Sequence, residues 1–316
     1  MSLLIAGSQY FPEDVPTPVV TIGNFDGVHL GHQKLLKRAI EEARQNQLPS
    51  CVYTFEPSPR SLLSPNRSVP RIVSWDEKIA LLFELGVDIV VIEPFTKAFA
   101  QISPQFFIDE ILSRRLRAKS LVVGYDFRFG RARAGTADLI RQHRPELDVI
   151  QISALKVKKE EIISSTVIRQ LIEAGDVAKA AQYLSRPHVV CGVVVSGDQR
   201  GRTIGFPTAN VLSSTPLIPA MGVYAASVQV NQRHHQKAIV NLGTRPTFDG
   251  TNFAIEVHIF DFNEDIYGQQ LRVFFHERIR AEKQFNGATA LKAQLQKDIA
   301  QTVKILDSIE WFKLLS

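Results

Sequence analysis

The sequence predicts an α/β fold class with two domains, an N-terminal parallel β-sheet domain followed by a small antiparallel β-barrel with a C-terminal helix. The length of 316 residues corresponds to two domains of about 100–200 residues each. Short apolar runs alternate with helical patterns in the first half, whereas β-branched and aromatic runs follow one another in the second. Because the pattern changes at Arg186 and Pro187, we predict domains at residues 1–185 and 186–316.

The apolar runs of the first half are typical of strands, and they cover residues 19–22, 51–55, 89–92, 121–123 and 149–152. Helical patterns lie between several of them, at residues 35–43, 75–85 and 104–116. Nearly all-apolar strands that alternate with helices indicate a parallel sheet covered on both faces. Ligands bind beyond the carboxyl ends of such strands, which is where the unusual residues of this half occur.

The second half is predicted to be a small antiparallel barrel. Its β-branched and aromatic runs are separated by Gly, Pro, Asn and Asp, and they cover residues 188–195, 222–230, 237–242, 253–260 and 271–276. That many short strands in a small segment favour a closed sheet. An amphipathic helix with an apolar stripe from Leu291 to Leu306 is expected to end the chain.

The composition excludes a disordered, collagen-like or disulfide-scaffold protein. Hydrophobic residues make up 45% of the chain and charged residues 22%, and the mean hydropathy is −0.02, as in ordinary globular proteins. No apolar run approaches the roughly 18 residues of a membrane helix, and residues 1–7 lack the basic flank of a signal peptide. Cys51 and Cys191 lie far apart without metal-ligand spacing. We therefore expect a cytoplasmic protein with no membrane partner.

The formal net charge of +5 is compatible with nucleic acid or with a phosphate-rich small molecule as partner. The excess is divided between the halves, with 23 Lys and Arg against 21 Asp and Glu before residue 186, and 14 against 11 after it. A local basic cluster at residues 114–133 is expected to be a solvated surface. We accordingly expect no nucleic-acid partner.

The strongest motif runs from the end of a predicted strand into a helix, and it reads Gly23-Asn24-Phe25-Asp26-Gly27-Val28-His29-Leu30-Gly31-His32. The free amides of a helix N-terminus form an anion site, and Gly31 lets a phosphate approach the backbone. His29 and His32 are three residues apart, so both imidazoles can face one side of the first turn. Paired imidazoles suit nucleotidyl transfer, since they stabilise charge on the phosphates. The open alternative is a metal pair or two surface histidines.

Two later strings also follow predicted strands. The first, residues 124–130, offers Gly124, Asp126 and Phe127 as a wall for planar rings and a ribose. The second, residues 163–169, opens a helix, and its candidate phosphate-binding residues are Ser164, Ser165, Thr166 and Arg169. A packed aromatic loop and an ordinary helix cap remain the alternatives for these two strings.

A second candidate site begins with a glycine-rich basic loop at residues 197–210, in which Gly201, Arg202 and Gly205 are candidates for binding phosphates. Thr208 and Asn210 are expected to alternate along a strand, so that their oxygens face one side and can hold Mg²⁺. The alternative is a polar hairpin. Glu256 is a carboxylate within an apolar run, either a proton acceptor for a kinase reaction or a surface residue of an edge strand.

These motifs resemble those of bacterial bifunctional riboflavin kinase/FAD synthetases. The residues that carry the likeness are the His-x-Gly-His string, residues 124–130 and 163–169, and the Gly-Phe-Pro-Thr-Ala-Asn string at residues 205–210. The resemblance implies a Rossmann-like nucleotidyltransferase domain that adenylylates FMN to FAD, and a barrel domain that phosphorylates riboflavin to FMN. It further implies ATP as co-substrate, flavins as substrates and products, Mg²⁺, Glu256 as catalytic base, and Arg280 near the flavin.

The sequence departs from the family pattern at two places. Glu56 and Ser58 stand where the family has Asp and His, which puts a ligand contact at that loop in question. Phe274 stands where glutamate is common, and we expect this strand change to be tolerated. Two other functions stay open, transfer to another cofactor precursor and nucleic-acid binding. We expect a monomer or weak oligomer.

Overall fold

The computed structural model describes residues 2–63, 69–155, 162–197, 205–231, 233–247 and 250–309. The chain divides into two compact units. The first unit comprises Met1–Pro70 and Trp75–Ser164, and the second comprises Arg71–Ser74 and Ser165–Ser316. The compact units divide after residue 164. The predicted boundary between residues 185 and 186 concerns where the two activities divide, and it stays a prediction.

The first unit contains a six-stranded parallel sheet with the order β1-β4-β3-β2-β5-β6. Its strands are β1 (Leu3–Ala6), β2 (Val19–Ile22), β3 (Ser50–Glu56), β4 (Ile89–Pro94), β5 (Ser120–Gly124) and β6 (Asp148–Ile152). The predicted parallel sheet is thus confirmed. The edge strand β1, which pairs in parallel with β4, was not predicted.

Helices cover both faces of the sheet, as predicted. They are α1 (Leu30–Gln45), α2 (Pro59–Leu63), α3 (Trp75–Glu84), α4 (Pro104–Phe106, continued by a π-helix over Phe107–Arg115) and α5 (Ala137–His143). The apolar stripe of α1, from Leu35 to Ala43, is buried against one face. Phe107 and Leu112 lie in a second cluster on the other face.

The second unit contains a closed six-stranded antiparallel barrel with the order β10-β11-β8-β7-β12-β9. Its strands are β7 (His188–Val195), β8 (Ala209–Ser213), β9 (Gly222–Val230), β10 (Gln236–Thr247), β11 (Gly250–Ile259) and β12 (Gln270–Arg280). Alternate residues fill the interior, among them Tyr224, Val240, Val257 and Phe275. The predicted barrel is confirmed.

In the described part of the second unit the helices are α6 (Ser165–Ala174), α7 (Val177–Leu184) and α8 (Ala288–Asp307). Val177 of α7 packs into the core cluster of the barrel. The turn before it places Gly175 (φ 82°) so close to the barrel that a Cβ would lie 2.8 Å from the Tyr224 hydroxyl. The last helix, α8, is the predicted C-terminal helix. Among the described residues, no helix is long and apolar enough to cross a bilayer.

Candidate functional sites

The first candidate site lies between β2 and α1, at the carboxyl edge of the parallel sheet. Helix α1 begins at Leu30, and its N-cap is His29, whose Nδ1 accepts a hydrogen bond from the backbone N–H of His32 at 3.3 Å. Caps are usually Ser, Thr, Asp or Asn, so a histidine in this position is unusual. Because Nδ1 accepts, a neutral His29 ring carries its proton on Nε2.

The two imidazoles of this site are in direct contact. The rings of His29 and His32 stack with centroids 3.6 Å apart and planes inclined by 18°. The His32 ring also meets the ring of Phe25 edge to face, with centroids 5.4 Å apart. His29 is buried, and His32 is half-buried. The motif therefore brings two proton-carrying rings together at a helix N-terminus, where free amides favour anions.

The glycines of the motif make room for these rings. A Cβ at Gly31 would lie 3.1 Å from Cε1 and 3.2 Å from Nδ1 of His29. A Cβ at Gly23 would lie 3.2 Å from the Phe25 ring. Gly27, by contrast, has a positive φ of 81°, which suits the turn into α1. Gly23 thus serves the packing of Phe25, and Gly31 serves the His29 ring.

Non-glycine residues of the same loop adopt left-handed backbone conformations. Phe25 has φ 49° and Val28 has φ 41°, and each such residue costs about 1–2 kcal/mol. Both side chains are almost completely buried, with exposed fractions of 0% and 1%. Tertiary packing therefore holds a loop that its sequence alone would not favour.

The structure separates the other candidate residues of the motif by exposure. Asn24 is exposed and Asp26 half-exposed, whereas the Phe25 side chain lies in the core. The Phe25 ring contacts the His32 ring, and a contact of Phe25 with a ligand stays a prediction. The carbonyl of Ile163 lies 3.6 Å from the position that a Cβ at Gly31 would take, so the segment that carries Ser164 reaches the histidine turn.

The aromatic loop after β5 closes through a turn in which Phe127 N–H donates to the Gly124 carbonyl at 3.1 Å. The Phe127 and Phe129 rings stack, with centroids 5.4 Å apart. Asp126 is exposed, as a residue that contacts a ligand would be. Ser165, Thr166 and Arg169 form the first turns of α6 in the second unit.

Sequence reasoning missed one residue beside the first site. Lys78 of α3 is buried, and its Nζ donates to the Asn24 carbonyl at 3.2 Å and to Thr54 Oγ1 at 3.2 Å. The available signal was its position on the apolar stripe of α3, between Trp75 and Leu82. A lysine at an apolar helical position is a candidate for a buried partner.

Two of the residues that depart from the family pattern, Ser58 and Phe274, have local structural explanations. Ser58 precedes α2, and its Oγ accepts a hydrogen bond from Ser61 N–H at 3.3 Å. The serine thus supports a short helix at this loop. Phe274 of β12 is 2% exposed and packs against the His235 ring, with centroids 4.6 Å apart. An aromatic side chain accordingly fits this buried position.

The second candidate site lies on the barrel wall. Asn210 of β8 and Asn241 of β10 are both register partners of Glu256, so the three residues form a row across three strands. The neighbours of Glu256 along β11, Ile255 and Val257, are buried in the barrel core. By strand alternation Glu256 faces away from that core, and it is half-buried. The predicted base and the predicted magnesium ligand are thus brought together.

Gly197 provides the space for the Asn210 side chain. A Cβ at Gly197 would overlap the Asn210 amide nitrogen and lie 2.5 Å from its Cγ. Sequence reasoning included Gly197 in a phosphate-binding loop, but did not identify this steric role. Position 205 favours glycine for another reason, because its φ is 89° and side chains other than glycine rarely adopt such a value. Gly201 and Arg202 lie outside the described residues.

The barrel also has a cavity of about 320 Å³, which opens at Thr208 and Ala209. It is lined by Thr208 together with apolar residues of the barrel and a polar loop, among them Val194, Pro207, Val257, Asp265 and Tyr267. Strand β8 begins at Ala209, so Thr208 directly precedes the strand and Asn210 is its second residue. Their role as magnesium ligands stays a prediction.

Arg280, the predicted flavin neighbour, is tied to α8. Its guanidinium pairs with Asp298 at 3.0 and 2.9 Å, and the Asp298 side chain is 2% exposed. Gln294 donates to the other carboxylate oxygen at 2.8 Å. The Arg280 side chain keeps an exposed fraction of 20%. Arg280 therefore joins the end of β12 to α8.

These features define a nucleotide-dependent transferase with two separate sites. One unit has paired histidines at a helix N-terminus of a parallel α/β sheet, and the other has a carboxylate–amide row and a cavity on a closed barrel.

Comparisons with known proteins identify the family. The sequence model of the FAD synthetase family matches residues 12–167, and that of riboflavin kinase matches residues 184–306. The bifunctional riboflavin kinase/FMN adenylyltransferase of Escherichia coli strain K12 is 40% identical over 281 residues, which cover 89% of this chain and 90% of that protein. The bifunctional riboflavin kinase/FMN adenylyltransferase of Bacillus subtilis strain 168 is 34% identical over 302 residues, which cover 94% of this chain and 95% of that protein. The chain belongs to the bifunctional riboflavin kinase/FMN adenylyltransferase family.

A solved structure shows the same fold. A crystal structure described as a macrolide-efflux protein from Streptococcus pneumoniae is 35% identical, with a TM-score of 0.86, and the match covers 95% of this chain and 98% of that one. The likeness extends over both units.

Proposed function

We propose that this protein makes FAD from riboflavin in two steps, with riboflavin kinase chemistry on the barrel and FMN adenylylation at the parallel sheet. The observation that carries the proposal is the separation of two chemically distinct groupings. Glu256 and Asn210 are register partners on the barrel, whereas His29 and His32 stack in the other unit. The matches to two family models, in this order along the chain, support it.

In the kinase step, Glu256 accepts the proton of the riboflavin 5′-hydroxyl as that oxygen attacks the γ-phosphorus of ATP, and ADP leaves. The cavity beside Thr208 has the volume of a small-ligand pocket, within the range of about 300–1,000 Å³. Its apolar wall suits the adenine ring. Gly201, Arg202 and Gly205 are proposed to cover the phosphates, and Arg280 to lie near the flavin.

The residues at Asn210 fit a magnesium ion. Mg²⁺ prefers oxygen ligands and keeps several waters, and both Asn210 and Thr208 carry side-chain oxygens. The lack of a Cβ at Gly197 leaves room for the Asn210 amide itself. When bound, the metal supplies charge neutralisation for the transferred phosphoryl group. Asn210 and Thr208 orient it, and Glu256 holds the proton.

In the adenylylation step, the FMN phosphate attacks the α-phosphorus of ATP and pyrophosphate leaves. His29 and His32 stabilise the charge that develops on the phosphates, and no nucleophilic side chain is needed. Asn24, Asp26, Asp126 and Phe127 are proposed to hold nucleotide or flavin. Ser164, Ser165, Thr166 and Arg169 are proposed to hold the β- and γ-phosphates.

The test is to incubate the purified chain with riboflavin, ATP and Mg²⁺ and to separate the flavins chromatographically. FMN and FAD should both form, and FAD should form from supplied FMN. A chain that makes neither would refute the proposal, and a steeply salt-dependent affinity for DNA or RNA would favour the nucleic-acid alternative. Turnover of another phosphorylated precursor in place of FMN would favour the other transferase.

Further properties belong to the proposal. We expect a cytoplasmic enzyme that works as a monomer or weak oligomer, without a nucleic-acid or membrane partner. The divided charge excess of the chain supports two separate phosphate-handling sites. Sedimentation of the purified chain and its localisation in cells would test these expectations.

A further inference from the structure

A buried lysine lies behind the loop that carries the paired histidines. Lys78 is 6% exposed, and lysine is almost never buried without a partner. Its Nζ donates to the Asn24 carbonyl and to Thr54 Oγ1, each at 3.2 Å. The Trp75 ring lies against the same nitrogen, 3.6 Å from its centroid. The buried Lys78 ammonium thus contacts a carbonyl, a hydroxyl and an aromatic ring of the first unit.

The Asn24 carbonyl is the group of the histidine motif that accepts the hydrogen bond from Lys78. Thr54 Oγ1 also donates to that oxygen, at 3.4 Å, so two side chains fix one peptide group. The next residue, Phe25, has the left-handed φ of 49°. Such a conformation persists only where its surroundings determine it. Lys78 and Thr54 supply that determination from the sheet side.

The Phe25 side chain connects this peptide group to the two histidines by ring contacts. Its ring is fully buried and meets the His32 ring edge to face at 5.4 Å. His32 in turn stacks on His29 at 3.6 Å. A shift of the peptide between Asn24 and Phe25 would therefore move the Phe25 ring, and with it His32.

We infer that Lys78 is a positioning residue for nucleotidyl transfer, which acts through the Asn24 carbonyl and the Phe25 ring on His32. This inference rests on the proposed function of the first site. Helix α3, which carries Lys78, thereby contributes a positioning residue to nucleotidyl transfer. Displacement of a reacting group by about 1 Å can cost about 100-fold in rate, so a loss of that order in kcat is expected without Lys78.

The experiment compares Lys78→Met with Lys37→Met in the full chain. Lys37 is exposed on α1, so the control removes the same charge from the same unit. Lys78→Met should lower kcat for FAD formation from FMN by about 100-fold, with KM for ATP changed less than threefold. Riboflavin phosphorylation by the same sample should be unchanged. Unchanged FAD formation, or a rise in KM with kcat intact, would overturn the inference.

A double variant distinguishes positioning from a general loss of structure. If Lys78 acts through His32, Lys78→Met combined with His32→Ala should be no slower than His32→Ala alone. Multiplying losses would contradict the inference. The ring NMR signals of His32 should also shift in Lys78→Met, while those of His143, exposed on α5, should stay in place. If His32→Ala kept full FAD formation, the proposed function would fail, whereas the ring signals would still test the contact.

Discussion

Asn210 and Glu256 are register partners on adjacent antiparallel strands, although 46 positions separate them in the chain. Directly opposite residues on one face of a sheet have Cβ atoms about 4.5–5.5 Å apart. An amide oxygen and a carboxylate are thereby held side by side on the barrel wall. The arrangement places a candidate magnesium ligand next to a candidate base, and it leads to the first prediction.

Asn210→Ala and Glu256→Ala should each abolish FMN formation and spare FAD formation from supplied FMN. Loss of a general base costs about 10²–10⁴-fold in rate, and loss of a metal ligand removes charge neutralisation. The measurement is chromatographic separation of flavins with each substrate. Glu277→Gln, an exposed change on β12, is the matched control and should retain both activities. Equal impairment of both steps by either alanine variant would refute the two-site assignment.

His29→Ala combined with His32→Ala should have the opposite effect, with FAD formation lost and FMN formation retained. Removing one group that stabilises transition-state charge costs about 10²–10³-fold. His143→Ala removes an exposed imidazole of the same unit and should leave both steps unchanged. Activity of the double variant within threefold of the parent would exclude the histidine pair from catalysis.

Gly197→Ala should impair the kinase step through Asn210. A Cβ at this position would lie 2.5 Å from Cγ of Asn210, so the amide must move. We expect KM for Mg–ATP to rise about tenfold or more, which corresponds to about 1.4 kcal/mol. The control is Gly287→Ala, a glycine with φ 98° whose Cβ would meet nothing within 4 Å. That variant should lose stability and keep its KM; an unchanged KM in Gly197→Ala would remove Gly197 from the site.

The pairing of Arg280 with Asp298 predicts a link between stability and flavin binding. Asp298→Ala would leave the guanidinium without its partner on α8, and breaking a buried pair costs about 3–5 kcal/mol. The free energy of unfolding, measured in urea, should fall by roughly the lower end of that range, because Arg280 is partly exposed. Asp298→Asn keeps an acceptor and should lose less. KM for riboflavin should rise in both variants; an unchanged KM would separate Arg280 from the flavin.

His188 predicts a pH dependence of barrel stability. The side chain is 1% exposed, and burial lowers its pKa to about 4, with a smaller contribution from the Arg186 charge. Its Nε2 donates to the Leu217 carbonyl at 3.0 Å in the neutral form. The unfolded chain binds a proton near pH 6.5 and the folded chain only near pH 4. Stability is therefore full above about pH 6.5 and declines as the pH falls toward 4.

The measurement compares urea unfolding of the parent and His188→Gln at pH 7.5 and pH 5. Glutamine keeps a donor for the Leu217 carbonyl but does not titrate. Between the two pH values the parent should lose about 2 kcal/mol more than the variant. Burial also lowers the pKa of His235 and His276 to about 4. Because the parent and the variant both carry these two residues, their contributions to the change in unfolding free energy cancel in the comparison. Equal losses in the two proteins would contradict the prediction.

Much of the fold followed from local patterns. The apolar stripe of α1 from Leu35 to Ala43 was predicted from its helical period, and strand β7, His188–Val195, from its β-branched residues. Strand β1 and helix α7 were not predicted. The two-part α/β and barrel architecture could be predicted because two long stretches of chain have different periods.

The sequence by itself determined which chemical groups this protein offers: two histidines in a glycine-rich turn, and a carboxylate within an apolar strand. Only the tertiary structure decided how they are supported. Lys78 reaches the Asn24 carbonyl across 54 positions, and the Gly197 backbone makes room for Asn210. Such contacts leave no local period in the sequence, because they depend on which elements the sheet order and the barrel closure bring together. Motifs are local in the chain, whereas the contacts that position them are not.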